Sequence, residues 1–311
     1  MASLFLSTFC VFWILVSLVT VAADIDSCPN DYTPPPPKNV HDLHPHHIET
    51  IATIGDSITA GVLAINTKKS HVDGRDLIQY RGLSWLSGAD RGAKSIYNYV
   101  KHYNSGVYGG SIGKRNLPLC EETFFCLNAS SIFKQDVLNA AMPAAVTDHL
   151  KNQVNYLNEH MGATSPYAKK WKMINVFLGT NDLSDPQNFV CICCRATAPV
   201  EFIGQEVISF HVSMYNSVLK QLAADYGPGG SLGSDTFTVV YQPFGFDVTS
   251  LPVTAISNVD GYHPNVMAYE YFTRTMWNQI FRPKAEKIDT FRYETTSKLY
   301  CPTEKDRIRT D

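Results

Sequence analysis

Residues 48–54 alternate and are β-branched, the pattern of a strand, and the run opens directly into Gly55. Apolar positions recur at helical spacing across residues 89–103, at Ile96, Tyr97, Val100 and Tyr103. Residues 136–141 read as a short buried strand. Residues 144–160 read as a helix with Val146, Leu150, Val154 and Leu157 on one face. A second strand over 172–178 ends at Gly179-Thr180-Asn181-Asp182. A long helix over 202–226 stops at Gly227-Pro228-Gly229-Gly230. Residues 236–241 predict a further strand, stopped by Pro243, and 265–281 a final amphipathic helix. Residues 106–126, rich in Gly, Asn and Pro, read as a surface excursion.

Strands alternating with helices predict an α/β domain with a parallel sheet covered on both faces. Active sites in such sheets form at the carboxyl ends of the strands. Ser57 and Asn181 each fall just past the end of a predicted strand, so both can occupy one edge of the sheet.

The first residues change the picture of the compartment. An apolar run from Leu4 to Val21 is followed by Ala22-Ala23-Asp24, which reads as a signal peptide over 1–23 cleaved after Ala23. No Lys or Arg precedes the run, and an uncleaved anchor is the competing reading. A secreted, extracellular protein with no further transmembrane segment is expected. Without Cys10, the cysteines are Cys28, Cys120, Cys126, Cys191, Cys193, Cys194 and Cys301, an odd set that allows at most three disulfides. Cys120–Cys126 would close a short loop. Cys191, Cys193 and Cys194 read as a disulfide cluster rather than a metal site, because the compartment oxidises and no matched second pair is near. Asn128 begins a glycosylation sequon. Residues 24–47 carry four consecutive prolines, Pro34 to Pro37, and His41, His44, His46 and His47, and read as an arm with a solvated histidine cluster. The domain proper is expected over 48–285, with a tail over 286–311.

Composition adds mainly exclusions. With 311 residues, 44% hydrophobic and 18% charged, the chain can build a core. A net charge of -3 without a basic stripe argues against a nucleic-acid partner. No protein partner is required by any motif.

The chemistry rests on three short runs. Ser57, in Gly55-Asp56-Ser57-Ile58, sits where a strand-to-helix turn would expose its hydroxyl. A serine needs a base, and His263 lies in Asp260-Gly261-Tyr262-His263-Pro264, where a carboxylate three residues earlier can hold Nδ1 and leave Nε2 for the serine. Asn181 offers a side-chain amide to an oxyanion. Asp56 and Asp182 are read as turn-holding residues.

Together, Gly55-Asp56-Ser57-Ile58-Thr59-Ala60-Gly61, Gly179-Thr180-Asn181-Asp182 and Asp260-Gly261-Tyr262-His263-Pro264 resemble the GDSL, or SGNH, hydrolases. Gln79-Tyr80-Arg81-Gly82-Leu83-Ser84-Trp85 is similar to a segment of animal phospholipase B enzymes. The resemblance covers about residues 48–281. It implies a three-layer α/β/α sandwich of flavodoxin-like type and a triad of Ser57, Asp260 and His263. It also implies an oxyanion hole built from the Ser57 amide, Asn181 and the amide of Ala144, which stands where the family carries glycine. Alanine keeps the amide but enters positive φ less readily, so a reshaped oxyanion hole is expected. Arg81 and Trp85 are read equally as lipid head-group contacts and as a brace. The implied substrate is a (lyso)phospholipid or other acyl ester, met at a membrane or micelle surface, with no cofactor and no metal. Rival readings are an esterase or acyltransferase on other small or carbohydrate esters, and an inactive secreted binding protein of the same fold.

Overall fold

The strand β2 (Thr50–Gly55) is buried along its whole length and runs parallel to β5 (Lys172–Phe177), in register from Thr50 opposite Lys172 to Gly55 opposite Phe177. The computed structural model describes residues 21–22, 24–117, 136–182 and 198–311. Its other strands are β1 (Val21–Ala22), β3 (Ile78–Gln79), β4 (Arg115–Asn116), β6 (Gly245–Phe246), β7 (Thr290–Phe291) and β8 (Leu299–Tyr300). Its helices are α1 (Ser57–Ala60), α2 (Ile96–Tyr103), α3 (Leu150–Met161), α4 (Ala198–Tyr226) and α5 (Val266–Gln279). The described chain is thus mixed α/β with parallel pairing at its centre.

The second edge of β2 is also used. The Thr53 amide donates to the Leu138 carbonyl (3.0 Å), and the Ala140 amide to Thr53 (2.9 Å). The Met142 amide then donates to Gly55 (3.1 Å). The expected strand over 136–141 therefore lies parallel to β2, held by a single bridge, Thr53 with Asn139, rather than a regular ladder. Nearer the start of β2, the Ile51 amide donates to Tyr108, so part of the supposed surface excursion lies against the strand. Val107 and Ser111 are buried there. The remainder of that excursion, the Asn128 sequon, and Cys120, Cys126, Cys191, Cys193 and Cys194 lie outside the described residues.

Helices α2 and α3 begin later than hydrophobic spacing suggests, because local polar chemistry sets their first turns. Ser95 caps α2 by accepting from the Asn98 amide (3.0 Å). The turn at Pro143-Ala144 and a 3-10 turn over Thr147–His149 precede α3. Helix α3 also turns a different face inward. Gln153, Leu157 and Met161 are buried, while the expected core residues Leu150 and Val154 are 38% and 45% exposed. Asn265 caps α5 through the Met267 amide (2.9 Å).

The expected strand over 236–241 does not form. Its start folds into a turn, in which the Ser234 hydroxyl accepts from the Thr236 and Phe237 amides (3.3 and 3.0 Å) and competes for the donors a strand would use.

Aromatic side chains dominate the main core. Trp85 stacks on Phe244 (centroids 5.5 Å apart), and Trp277 stacks on Tyr103 (6.0 Å). Arm and tail close over the same core. Cys28 is disulfide-bonded to Cys301, β1 pairs antiparallel with β8, and Arg307 bonds Asp42 (2.8 Å). Of residues 1–23, only Val21 and Ala22 are described. No helix among the described residues is long and apolar enough to cross a membrane.

The histidine cluster is not a solvated linker. His44 is fully buried, edge-on to Tyr32 and Tyr103 (5.7 and 5.8 Å), and its Nδ1 accepts from the His46 amide (3.1 Å). Aromatic walls and the disulfide hold it there. Among the described residues no group of His, Cys, Asp and Glu is arranged to hold a metal. Burial, then the charges of His46, His47 and Arg307, push the His44 pKa down to about 3, opposed by Asp306. His46 and His47 are also lowered, chiefly by burial. An unfolded imidazole titrates near 6.5, so below that pH the unfolded chain takes up protons that the folded chain refuses. Stability from this cluster is expected to fall as pH drops from about 6.5 towards about 3. Urea unfolding at about pH 7 and pH 5 measures the slope, and His44→Asn, which keeps an acceptor for the His46 amide, should flatten it.

Candidate active site

Ser57 opens α1 directly beyond β2. The Asp56 side chain caps this short helix by accepting from the Ile58 amide (2.9 Å), as expected of a turn-holding residue. Burial pushes the Asp56 carboxyl up to about 6, against the lowering effects of that bond, of nearby His263 and of the Thr180 side chain. Gly61 ends α1 in the left-handed region (φ 76°). Gly55 is required by space, since a Cβ there would come within 2.3 Å of the Thr59 hydroxyl and 2.7 Å of the Phe177 carbonyl. The turn is therefore tight on both sides of Ser57, which is 8% exposed.

His263 and Asp260 are held by one loop. The Ser257 amide donates to the His263 carbonyl (2.8 Å), and the Gly261 amide to Ser257 (2.9 Å). Asp260 Oδ1 accepts from the Tyr262 and His263 amides (3.0 and 3.1 Å). Its Oδ2 lies 2.5 Å from His263 Nδ1. Burial works to raise the Asp260 pKa, but the bonds from His263 and the two amides prevail and hold it below the ordinary carboxylate value. His263 Nε2 is buried and has no hydrogen-bond partner among the described residues. The loop is fastened to α1 through α5, where the Tyr269 hydroxyl donates to the Ile58 carbonyl (2.9 Å).

Ala144 stands at φ 57°, in the left-handed region. The Ala145 amide donates to the Met142 carbonyl (3.1 Å), so Pro143 and Ala144 are the central pair of a type II turn. The backbone conformation suited to glycine is therefore kept, and alanine bears the strain. Ala144→Gly is expected to raise stability by about 1 kcal/mol, read as a higher melting temperature.

Asn181 Nδ2 donates to the Ala145 carbonyl (2.9 Å), and Asp182 accepts from the Thr147 amide (3.0 Å) and hydroxyl (2.6 Å). The end of β5 is thus tied to the Ala144 turn. One amide hydrogen of Asn181 is not committed by this bond. Ser57, Ala144 and Asn181 follow the carboxyl ends of three neighbouring parallel segments, which meet at Gly55, paired with Phe177 and bonded to Met142.

Two buried side chains support the site from outside it. Arg81 is buried, so it is a brace and not a head-group contact. Its guanidinium donates to the Asn139 and Ala141 carbonyls (3.2 and 2.7 Å) and to Gln79 (3.0 Å), beside Asp136. It thereby serves the outer edge of the segment that leads to Ala144. Gln153 reaches Gly55 from α3. Its only sequence signal is a polar residue within a helical apolar pattern.

A tight strand-to-helix turn at Ser57 and a carboxylate-held imidazole at His263 are the parts a serine hydrolase uses, and among the described residues no hydrogen bond joins Ser57 to His263. The family model for GDSL-like Lipase/Acylhydrolase matches residues 51–210, and the chain belongs to that family of ester hydrolases. Among curated proteins it is similar to phospholipase B1, membrane-associated, of Rattus norvegicus, at 25% identity over 88% of this chain and 22% of that protein. The Homo sapiens protein of the same name is 24% identical over 87% of this chain and 22% of its own length. The chain thus spans about a fifth of the length of these relatives. No solved structure matches.

Proposed function

We propose that the chain hydrolyses acyl esters of (lyso)phospholipids through an acyl-enzyme on Ser57. His263 Nε2 takes the Ser57 proton as Oγ attacks the acyl carbonyl. The amides of Ser57 and Ala144 and the Asn181 side chain receive the negative charge that develops on the carbonyl oxygen. His263 returns its proton to the departing alcohol. It then takes a proton from water, which cleaves the acyl-enzyme, frees the acid and restores Ser57. Asp260 keeps Nδ1 protonated and stabilises the transient imidazolium. The observation that carries this reading is the Asp260–His263 pair with a buried, unpartnered Nε2.

The preference for a phospholipid rests on the names of the relatives. Secretion rests on the apolar run before Asp24 and accords with the Cys28–Cys301 disulfide. Completion of the central strands into a three-layer sandwich is inferred from family membership.

A fluorophosphonate probe should label the wild-type protein and fail to label Ser57→Ala. Equal labelling of both would remove Ser57 from the mechanism. Faster turnover of lysophosphatidylcholine than of an acetylated sugar is the expected substrate result, and the reverse order would point to a carbohydrate esterase.

A further inference from the structure

Gly55 is bonded in a way the sheet alone does not provide. Along the inner edge of β2 the ladder alternates regularly: Thr53 amide to Leu138 carbonyl, Ala140 amide to Thr53 carbonyl, Met142 amide to Gly55 carbonyl. The parallel pattern calls for one more bond, from the Gly55 amide to the Ala140 carbonyl. In its place the Gly55 amide donates to Gln153 Oε1 (2.8 Å). The same side chain donates from Nε2 to the Gly55 carbonyl (2.9 Å), which already accepts from Met142. Gln153 is fully buried and belongs to α3. Helix α3 leaves Val154 and Leu150 largely in solvent and turns this amide inward.

The substitution opens one gap in the ladder just before its last bond, from the Met142 amide to Gly55. Two residues beyond Gly55 is Ser57, and two beyond Met142 is Ala144. A continued ladder would draw these segments together, and a bare separation would leave a buried amide without a partner, at a cost of about 1–3 kcal/mol. A side-chain amide bonds both groups of Gly55 and so holds the gap open while the Met142 bond stays made.

We propose that Gln153 is a positioning residue that sets the spacing between the Ser57 turn and the Ala144 turn, and hence the fit of the oxyanion to its amide donors. It touches no reacting atom. The inference rests on the reading of Ser57 as nucleophile and of the Ser57 and Ala144 amides as oxyanion donors.

The test uses the full chain with Ser57→Ala, Gln153→Leu and Gln153→Glu. Three readouts are taken: the phosphonylation rate with a fluorophosphonate, kcat and KM on a short-chain p-nitrophenyl ester, and the melting temperature. Gln153→Leu should lower kcat and the phosphonylation rate in parallel by about a hundredfold, with KM nearly unchanged, in a folded protein. Gln153→Glu covers the case in which the leucine variant does not fold. A protonated carboxyl restores both bonds, whereas a carboxylate opposes the Gly55 carbonyl. The ratio of its kcat to that of wild type should therefore rise as pH falls from about 9 to about 6, because burial raises the carboxyl pKa. A folded leucine variant with wild-type kcat and labelling would overturn the assignment. So would a glutamate variant whose ratio to wild type is flat with pH. Should Ser57→Ala label as wild type does, the nucleophile reading falls and this assignment falls with it. Loss of labelling in Ser57→Ala alone, with both Gln153 variants normal, removes only the role of Gln153.

Discussion

Asp260→Asn is expected to lower kcat by about four orders of magnitude while leaving the fold in place. One carboxylate oxygen accepts two backbone amides of its own loop, and the other faces His263 Nδ1 at 2.5 Å. An asparagine keeps its carbonyl oxygen on the loop amides and turns its NH2 group towards Nδ1. Nδ1 must then accept, so the ring proton moves to Nε2, the atom that takes the proton of Ser57 in the proposed mechanism. The wild-type carboxyl is held below its ordinary pKa and stays ionised throughout the neutral range. The deficit should therefore persist across neutral and mildly alkaline pH. Steady-state kinetics on a short-chain ester, with a melting curve of the variant, checks this. Activity within tenfold of wild type would take Asp260 out of the triad.

Loss of the Cys28–Cys301 bond is expected to cost about 4 kcal/mol of stability, or roughly 10 °C in melting temperature. The two half-cystines are 273 residues apart, so the bond restrains nearly the whole unfolded chain. Both are buried, beside the Arg307–Asp42 pair, the Tyr32 hydroxyl on the Pro302 carbonyl, and the Ile308 amide on the Leu43 carbonyl. Cys301→Ser, melted beside wild type in the presence and absence of reductant, measures the effect. A loss under about 1 kcal/mol would mean that these contacts hold arm and tail unaided.

Much of the frame around the site was legible in the chain, for identifiable reasons. The strand at 50–55 and the helix at 266–279 carry strong periodic signals, and Gly61, Asn265 and Asp56 act locally as their residue types suggest. Other features depend on distant partners. Nothing near Gln153 announces that its amide will meet Gly55; apolar periodicity rightly placed Leu157 in the core but wrongly placed Leu150 and Val154 there. His44 looked solvated because its neighbours in sequence are polar, whereas its walls, Tyr32 and Tyr103, come from separate segments. Residues 236–241 carry a β-branched run, but the Ser234 hydroxyl outcompetes ladder pairing at its start. For Arg81 the sequence left a head-group contact and a brace equally open, and the Asn139 and Ala141 carbonyls beneath it decide for the brace.

The amide of Gly55 has an unusual kinetic standing. Its neighbours in β2 can exchange with solvent deuterium only when strands separate, but its own proton is guarded by a side chain from another element. Brief undocking of α3 would expose that proton while the β2–β5 ladder stays closed. Gly55 should then exchange with the helix rather than with the sheet. Mild heating would blunt the chemistry at Ser57 before any global melting is seen, and the exchange rate at this one amide would foretell it.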